Sequence, residues 1–309
     1  MDRGNLLTMN SRWFIRPRPR QAPSLRLICF PYAGGNAGTY VPWAAHLPPG
    51  VELVAVQLPG RGTRLDELPF SDMEPLVHEL LAVFPAVIDR PYVLFGHSLG
   101  SRVAFELALR CQRRGWPLPV CFIASGSRAA HLAEASAPLH DLPEAEFIEK
   151  LRELNGTPAE VLENLELIQL LTPLLRADFR IADLYRADGT PLGCPIAVLA
   201  GTEDEDVTPQ LVEGWRDLTT AGCEIHWIPG GHFFIERNRA QVLGKINTIL
   251  AQASEARWTP ATARPEGSAA AAKLASQAIA AAEEQAMDLP PGTVLAQATP
   301  GKCWSKIRR

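Results

Sequence analysis

The chain has 309 residues, 47% of them hydrophobic, and a formal net charge of −4. This length permits one large domain or two small ones with a substantial core, and the charge gives no broad reason to expect a nucleic-acid partner. Residues 1–10 lack a signal-peptide pattern, and no run approaches the roughly 18 apolar residues of a transmembrane helix. We therefore expect a cytoplasmic protein with no membrane partner.

The six cysteines are scattered along the chain without paired spacing. This pattern predicts neither a disulfide framework nor a zinc site. Cys29, Cys121 and Cys194 lie in or beside apolar runs, which predicts buried free thiols.

Short apolar runs alternate with longer helical segments, as in an α/β fold with a mostly parallel sheet. Helices are predicted at Leu76–Ile88, Arg102–Arg114 and Arg237–Gln252. The predicted strands, in chain order, are Leu25–Phe30, Val51–Gln57, Pro91–Phe95, Val120–Ala124, Ile196–Ala200 and Glu224–Ile228.

Residues 128–186 interrupt this alternation between the fourth and fifth predicted strands. They contain no convincing strand but three helical pieces, Glu144–Leu154, Pro158–Leu171 and Pro173–Tyr185. An insertion between two strands covers one end of the sheet, so we interpret residues 128–186 as a helical lid over a site and call them the lid segment. A structural cap without gating is the alternative.

The composition changes after Gln252. Residues 259–267 resemble a linker, the alanine-rich residues 268–286 predict a helix, and the last nine residues are basic. We divide the chain into an N-terminal segment (1–12), a domain (13–252) and a C-terminal extension (253–309). The extension is interpreted as a disordered appendage, with docking of its helix on a partner as the alternative.

The pentapeptide Gly96-His97-Ser98-Leu99-Gly100 stands between a predicted strand and a predicted helix. In that context G-x-S-x-G is typical of a sharp turn that exposes a nucleophilic serine, here Ser98. Glycines two residues before and after the serine allow the close backbone contacts of the turn. We expect His97 to support the turn rather than accept a proton.

An activated serine needs a base, and the base needs an orienting carboxylate. In the α/β-hydrolase order, the acid and then the histidine each follow a later strand. His232 follows the last predicted strand after two glycines and is the predicted base. Among the acids at 203–206, Asp204 is favoured because Val207 can anchor its loop in the core, and Asp206 is the alternative.

Acyl transfer also needs hydrogen-bond donors for the oxyanion that develops at the carbonyl. The amide of Leu99 supplies one by its position after the serine. The amide of Ala33, in the loop after the first predicted strand, is the second, with Tyr32 or Gly34 as alternatives. This loop has neither the lysine of a phosphate loop nor G-x-G-x-x-G. A plain tight turn is the structural alternative.

Several motifs together resemble the type II thioesterases of polyketide and nonribosomal peptide assembly lines. The resemblance covers about residues 13–250 and implies an α/β-hydrolase fold with a helical lid. It also implies a triad of Ser98, Asp204 and His232, with oxyanion donors at Ala33 and Leu99. The extension beyond about Arg257 is longer than the family usually carries. The matching residues are Trp13, Phe30-Pro31-Tyr32-Ala33-Gly34-Gly35, Leu58-Pro59-Gly60-Arg61-Gly62, Phe95–Gly100, Pro229–Phe233 and, in the lid segment, Leu142, Phe147, Leu151 and Gly156-Thr157-Pro158.

The resemblance implies that the chain hydrolyses acyl thioesters on the phosphopantetheine arm of acyl or peptidyl carrier domains. No metal or redox cofactor is expected, the family's usual task is editing, and we expect a monomer. Arg61 and Arg64 are candidates to attract an acidic carrier, although we interpret them as exposed, solvated side chains. The alternatives are a carboxylesterase, an acyltransferase, and a non-catalytic carrier-binding subunit.

Overall fold

The computed structural model describes residues 12–133, 138–154, 156 and 162–255. In this part of the chain seven strands form one sheet in the order β1-β3-β2-β4-β5-β6-β7. Every neighbouring pair is parallel except β1 and β3. The strands are β1 (Phe14–Ile15), β2 (Leu25–Phe30), β3 (Val51–Val56), β4 (Tyr92–His97), β5 (Cys121–Ser125), β6 (Ile196–Gly201) and β7 (Cys223–Ile228).

The six predicted strands are confirmed, and β1 is an addition to them. β1 has two residues, which is too short for an alternating or continuous apolar pattern to be seen in the sequence. It pairs with the end of β3, where Phe14 lies opposite Val56.

Helices cover both faces of the sheet, and for this reason β2 to β6 are buried along their whole length. In β2, Ile28 and Phe30 belong to one apolar core, while Leu27 and Cys29 belong to the other. The α-helices among the described residues are α1 (Met73–Val83), α2 (Leu99–Arg113), α3 (Glu144–Leu154), α4 (Leu165–Leu184), α5 (Pro209–Glu213), α6 (Phe234–Arg237) and α7 (Arg239–Glu255).

The lid segment contributes α3 and α4, and here one prediction is wrong. The sequence predicted a break before Pro173, whereas α4 runs through that proline. Pro173 and Gln169, whose carbonyl loses its helical donor, both lie on the exposed side of α4. The hydroxyl of Thr172 donates to Ile168 O at 2.7 Å, and the apolar face packs without interruption. The predicted helix start at Pro158 lies outside the described residues.

Three other helices have bounds that differ from the prediction, among them α7, which spans Arg239–Glu255 rather than Arg237–Gln252. α1 spans Met73–Val83 and passes into a 3-10 turn that contains Pro85. α2 begins at Leu99, directly after Ser98, rather than at Arg102. The predicted N-terminal segment, apart from its last residue, and the predicted features of the C-terminal extension beyond Glu255 lie outside the described residues.

The sheet order positions the candidate site. β3 lies on one side of β2 and β4 on the other, so the chain changes direction across the sheet at β2. Ligands of open parallel sheets bind at such a switch point, beyond the carboxyl ends of the strands. The loops after β2, β4, β6 and β7 carry Ala33, Ser98, Asp204 and His232 to this edge.

Candidate active site

Ser98 stands at a sharp turn between β4 and α2. Its φ is +53°, and it is the one non-glycine residue with a positive φ among those described. A Cβ at Gly96 would lie 2.2 Å from Gly100 O, and a Cβ at Gly100 would lie 2.2 Å from Phe30 O. The two glycines are therefore needed for the close approach of β2, β4 and α2. The Ser98 N–H donates to Ser125 O at 2.8 Å, which fixes the turn against the end of β5.

The loops after β6 and β7 bring Asp204 and His232 together. His232 Nδ1 lies 2.8 Å from Asp204 Oδ2, and their side chains are 17% and 1% exposed. The loops themselves are in contact, since a Cβ at Gly201 would lie 2.5 Å from Gly230 O. Asp206 is exposed, and its N–H donates to Asp204 Oδ1 at 3.2 Å. Asp204, rather than Asp206, is thus the carboxylate that faces the histidine.

His97 is fully buried behind this pair. Its Nδ1 lies 3.0 Å from Ser125 Oγ, and its ring centroid lies 5.3 Å from that of His232. Burial, and then the neighbouring His232, hold the pKa of His97 well below its ordinary value of 6.5. Burial therefore favours the neutral form of His97, whose ring packs against that of His232.

The predicted oxyanion loop after β2 is a tight turn over Tyr32–Gly35, which we call the oxyanion turn. Gly35 N–H donates to Tyr32 O at 2.9 Å, and Gly34 has a φ of +74°, which favours glycine. In a trans peptide the C=O and the following N–H point in opposite directions. Because the Tyr32 carbonyl points into the turn, the Ala33 N–H points out of it. Leu99 is the first residue of α2, where backbone N–H groups have no acceptor within the helix.

The expectation that Arg61 and Arg64 are exposed is wrong. Arg61 forms a bidentate ion pair with Asp178 of α4, at 2.6 Å and 2.8 Å, and the two side chains are 4% and 1% exposed. The guanidinium of Arg64 lies 4.1 Å above the Trp13 ring and donates to Gln57 O. Both arginines are held inside the structure and are not available on its surface.

Asp178 is a site residue that the sequence did not single out. Its Oδ2 also accepts the Gly34 N–H at 2.7 Å, so it contacts the oxyanion turn directly. Asp178 and Arg61 are 117 positions apart, and no local spacing links them. The helical pattern of α4 gave only its approximate position in the lid segment.

A cavity of about 270 Å³ lies between the oxyanion turn and the helices of the lid segment. At one side the Tyr32 hydroxyl donates to Glu236 Oε1 at 2.6 Å. Burial, and then this hydrogen bond to Glu236, raises the pKa of Tyr32 above its ordinary value. Most of the lining is apolar and includes Leu151, Leu154, Leu171, Leu174, Leu175, Phe179 and Phe233.

Among the described residues, no group of three or more His, Cys, Asp or Glu side chains is arranged to hold a metal ion. The prediction of buried free thiols is confirmed for Cys29, Cys121 and Cys194. Burial raises the pKa of the Cys121 and Cys194 thiols to about 12. In the part of the chain that the structure describes, no helix is long and apolar enough to span a bilayer.

A family model described as a thioesterase domain matches residues 25–250 and therefore includes all of these site loops. The chain belongs to the thioesterase family. The match ends before the C-terminal extension begins.

Among solved structures, this thioesterase is similar to the type II thioesterase BorB from the borrelidin biosynthetic cluster. The two are 36% identical with a TM-score of 0.70, over 79% of this chain and 98% of BorB. The predicted α/β-hydrolase fold and the resemblance to type II thioesterases are both confirmed.

Two biosynthetic proteins are also similar to this thioesterase. Linear gramicidin dehydrogenase LgrE of Brevibacillus parabrevis is 39% identical over 244 residues, 78% of this chain and 93% of LgrE. Gramicidin S biosynthesis protein GrsT of Aneurinibacillus migulanus is 35% identical over 234 residues, 75% of this chain and 91% of GrsT. The name of LgrE specifies a dehydrogenase, but in this chain the loop after β2 has no G-x-G-x-x-G fingerprint.

Proposed function

We propose that this thioesterase is a serine hydrolase that releases acyl groups from the phosphopantetheine arm of carrier domains. The observation that carries the proposal is the 2.8 Å contact between His232 Nδ1 and Asp204, beside the turn that bears Ser98. With Nδ1–H donating to the carboxylate, Nε2 is the ring nitrogen left to accept the Ser98 proton. Ser98, His232 and Asp204 are the proposed triad.

In the proposed reaction, Ser98 Oγ attacks the thioester carbonyl carbon while His232 Nε2 accepts its proton. The amides of Ala33 and Leu99 donate to the oxyanion of the tetrahedral intermediate. The C–S bond then breaks, and the thiol leaves with the proton from the imidazolium. Water attacks the acyl-enzyme with His232 again as base, and a carboxylic acid is released. These steps use the triad, the two backbone amides and water, and phosphopantetheine belongs to the substrate.

The cavity supports a substrate with a short or medium apolar acyl group. Its volume of about 270 Å³ is close to the lower end of ligand pockets, and leucine and phenylalanine side chains dominate its lining. BorB is a type II thioesterase from a biosynthetic cluster, as its name states. By this likeness we propose an editing role, in which this chain removes aberrant acyl groups from the acyl or peptidyl carrier domains of a synthase.

Mass spectrometry of an acyl-loaded carrier protein tests this proposal. The carrier is incubated with the wild type or with Ser98→Ala, and a matched oxygen ester is assayed in parallel. Loss of the acyl group with the wild type alone supports the proposal. If the oxygen ester is cleaved and the carrier stays loaded, the chain is a carboxylesterase. Transfer to an added alcohol or amine instead of water identifies an acyltransferase. A carrier that binds but stays loaded, with no ester cleavage, identifies a non-catalytic subunit.

A further inference from the structure

The buried pair Arg61–Asp178 joins three parts of the molecule around the oxyanion turn. Arg61 lies in the loop after β3, and Asp178 lies in the middle of α4 in the lid segment. Asp178 Oδ2 accepts the Gly34 N–H at 2.7 Å, while Arg61 Nη1 donates to Gly35 O at 3.3 Å. The turn is therefore held from both sides by the members of one ion pair.

These contacts fix the peptide that carries the candidate oxyanion donor. The turn closes through the Gly35 N–H and the Tyr32 carbonyl, and that carbonyl belongs to the same peptide unit as the Ala33 N–H. Holding Gly34 N–H and Gly35 O leaves this peptide unit little freedom to rotate. α4 also packs directly on the turn, since a Cβ at Gly34 would lie 2.6 Å from Leu175 Cδ2.

We propose that Arg61 and Asp178 are positioning residues, through which the oxyanion site depends on the packing of α4 against the turn. The proposal rests on the proposed hydrolysis and adds a control element to it. When α4 is seated, the Asp178 carboxylate holds the turn and the Ala33 N–H faces the carbonyl of the substrate. When α4 moves away, the turn loses this acceptor, and Arg61 loses its buried counter-charge. The packing of α4 against the turn and the completion of the oxyanion site therefore depend on the same contacts.

Asp178→Asn is the most direct perturbation because it keeps the shape of the side chain and removes the charge. Asp178 Oδ2 accepts from both Gly34 N–H and Arg61 Nη1, and Oδ1 accepts from Arg61 Nη2. An asparagine places a donating NH₂ group at one of these two positions, so at least one donor loses its acceptor. In either orientation the Gly34 N–H no longer meets a carboxylate, and the turn is held less firmly. Complete loss of one oxyanion donor costs about 10²–10³ in rate, so a partial loss costs less.

The pair Arg26–Glu52 is a second buried ion pair and serves as the control for the loss of a buried charge; Arg26 also contacts the half-exposed Asp89. Arg26 Nε donates to Glu52 Oε2 at 2.8 Å, and the two side chains are 5% and 1% exposed. They stand near the starts of β2 and β3, at the edge of the sheet opposite the site loops. Glu52→Gln therefore destabilises a buried pair without touching the oxyanion turn.

The experiment measures kcat and KM for butyryl-pantetheine, the affinity for n-butylboronic acid, and urea unfolding in the full chain. The boronic acid forms a tetrahedral adduct with an active serine, so its affinity reports on the oxyanion donors. For Asp178→Asn we expect kcat and the boronate affinity to fall by about tenfold while KM changes by less than about threefold. Glu52→Gln should lower stability and leave kcat within about twofold of the wild type.

Each outcome decides between a positioning role and a structural one. If Asp178→Asn lowers kcat no more than Glu52→Gln does, or leaves the boronate affinity unchanged, the inference is overturned. If Asp178→Asn does not fold, Arg61→Lys takes its place, because it keeps the charge but loses the bidentate contact. An unchanged kcat in Arg61→Lys then overturns the inference. Failure of the proposed function is distinguished by the wild type itself, which would show no hydrolysis that depends on Ser98.

Discussion

Gly100→Ala should disable the site by separating β2 from α2. The new Cβ would lie 2.2 Å from Phe30 O and 2.7 Å from Pro31 O, both of them backbone atoms. Ordinary contact begins near 3.4 Å, so the two elements must move apart by roughly 1.2 Å. α2 carries the Leu99 amide and the loop after β2 carries the Ala33 amide, so the shift changes the distance between the two proposed oxyanion donors.

A displacement of about 1 Å at a catalytic site costs on the order of 10² in rate, and overpacking costs about 1–3 kcal/mol of stability. The assay is kcat on an acyl-pantetheine substrate together with urea unfolding. Gly244→Ala is the control, since Gly244 is an exposed residue of α7 and a Cβ there would meet no atom within 4 Å. It should keep full activity and gain up to about 1 kcal/mol from alanine's helix propensity. A Gly100→Ala protein with wild-type kcat and stability would refute the packing argument.

Three further predictions follow from the same contacts. Asp204→Asn should lower kcat by about 10⁴-fold because an amide no longer fixes the His232 tautomer. Asp206→Asn should lower kcat by less than about tenfold, and steady-state kinetics compares the two variants. Because the folded state depresses the pKa of His97, its contribution to stability is complete above pH 6.5 and is lost as the pH falls, by up to about 1.4 kcal/mol per pH unit. The free energy of unfolding, measured with urea at about pH 7.5 and pH 5.5, should therefore change less in His97→Asn than in the wild type. An equal change in the two proteins would contradict this. Leu174→Ala enlarges the cavity and should shift the ratio of kcat/KM towards longer acyl chains by about tenfold, as a chain-length series of acyl-pantetheines would reveal.

The parts of the fold that the sequence predicted depend on local rules. Buried parallel strands are mostly apolar runs, and all six strands that were predicted are present, including β7, which is only partly buried. The turn at Ser98 was predictable because close backbone contacts require glycine at a fixed spacing on either side of the serine. The preference for Asp204 rested on Val207 as an anchor, and Val207 is buried at 5% exposure.

The parts that the sequence missed depend on contacts between distant segments. Arg61 was interpreted as exposed because its partner Asp178 is 117 positions away and belongs to another element. Arg64 is buried against Trp13, a ring near the start of the described residues. Pro173 predicted a helix break, but its exposed position lets α4 continue because the packed face loses no contact.

The most direct test of the central claim is to find the acyl group on Ser98. Intact-protein and peptide mass spectrometry, after rapid quenching with an acyl-pantetheine, would locate a covalent intermediate. The account predicts an acyl adduct on the peptide that contains Ser98, which decays as free acid appears and is absent in Ser98→Ala. An adduct on another residue, or acid release without any adduct and unchanged in Ser98→Ala, would contradict it.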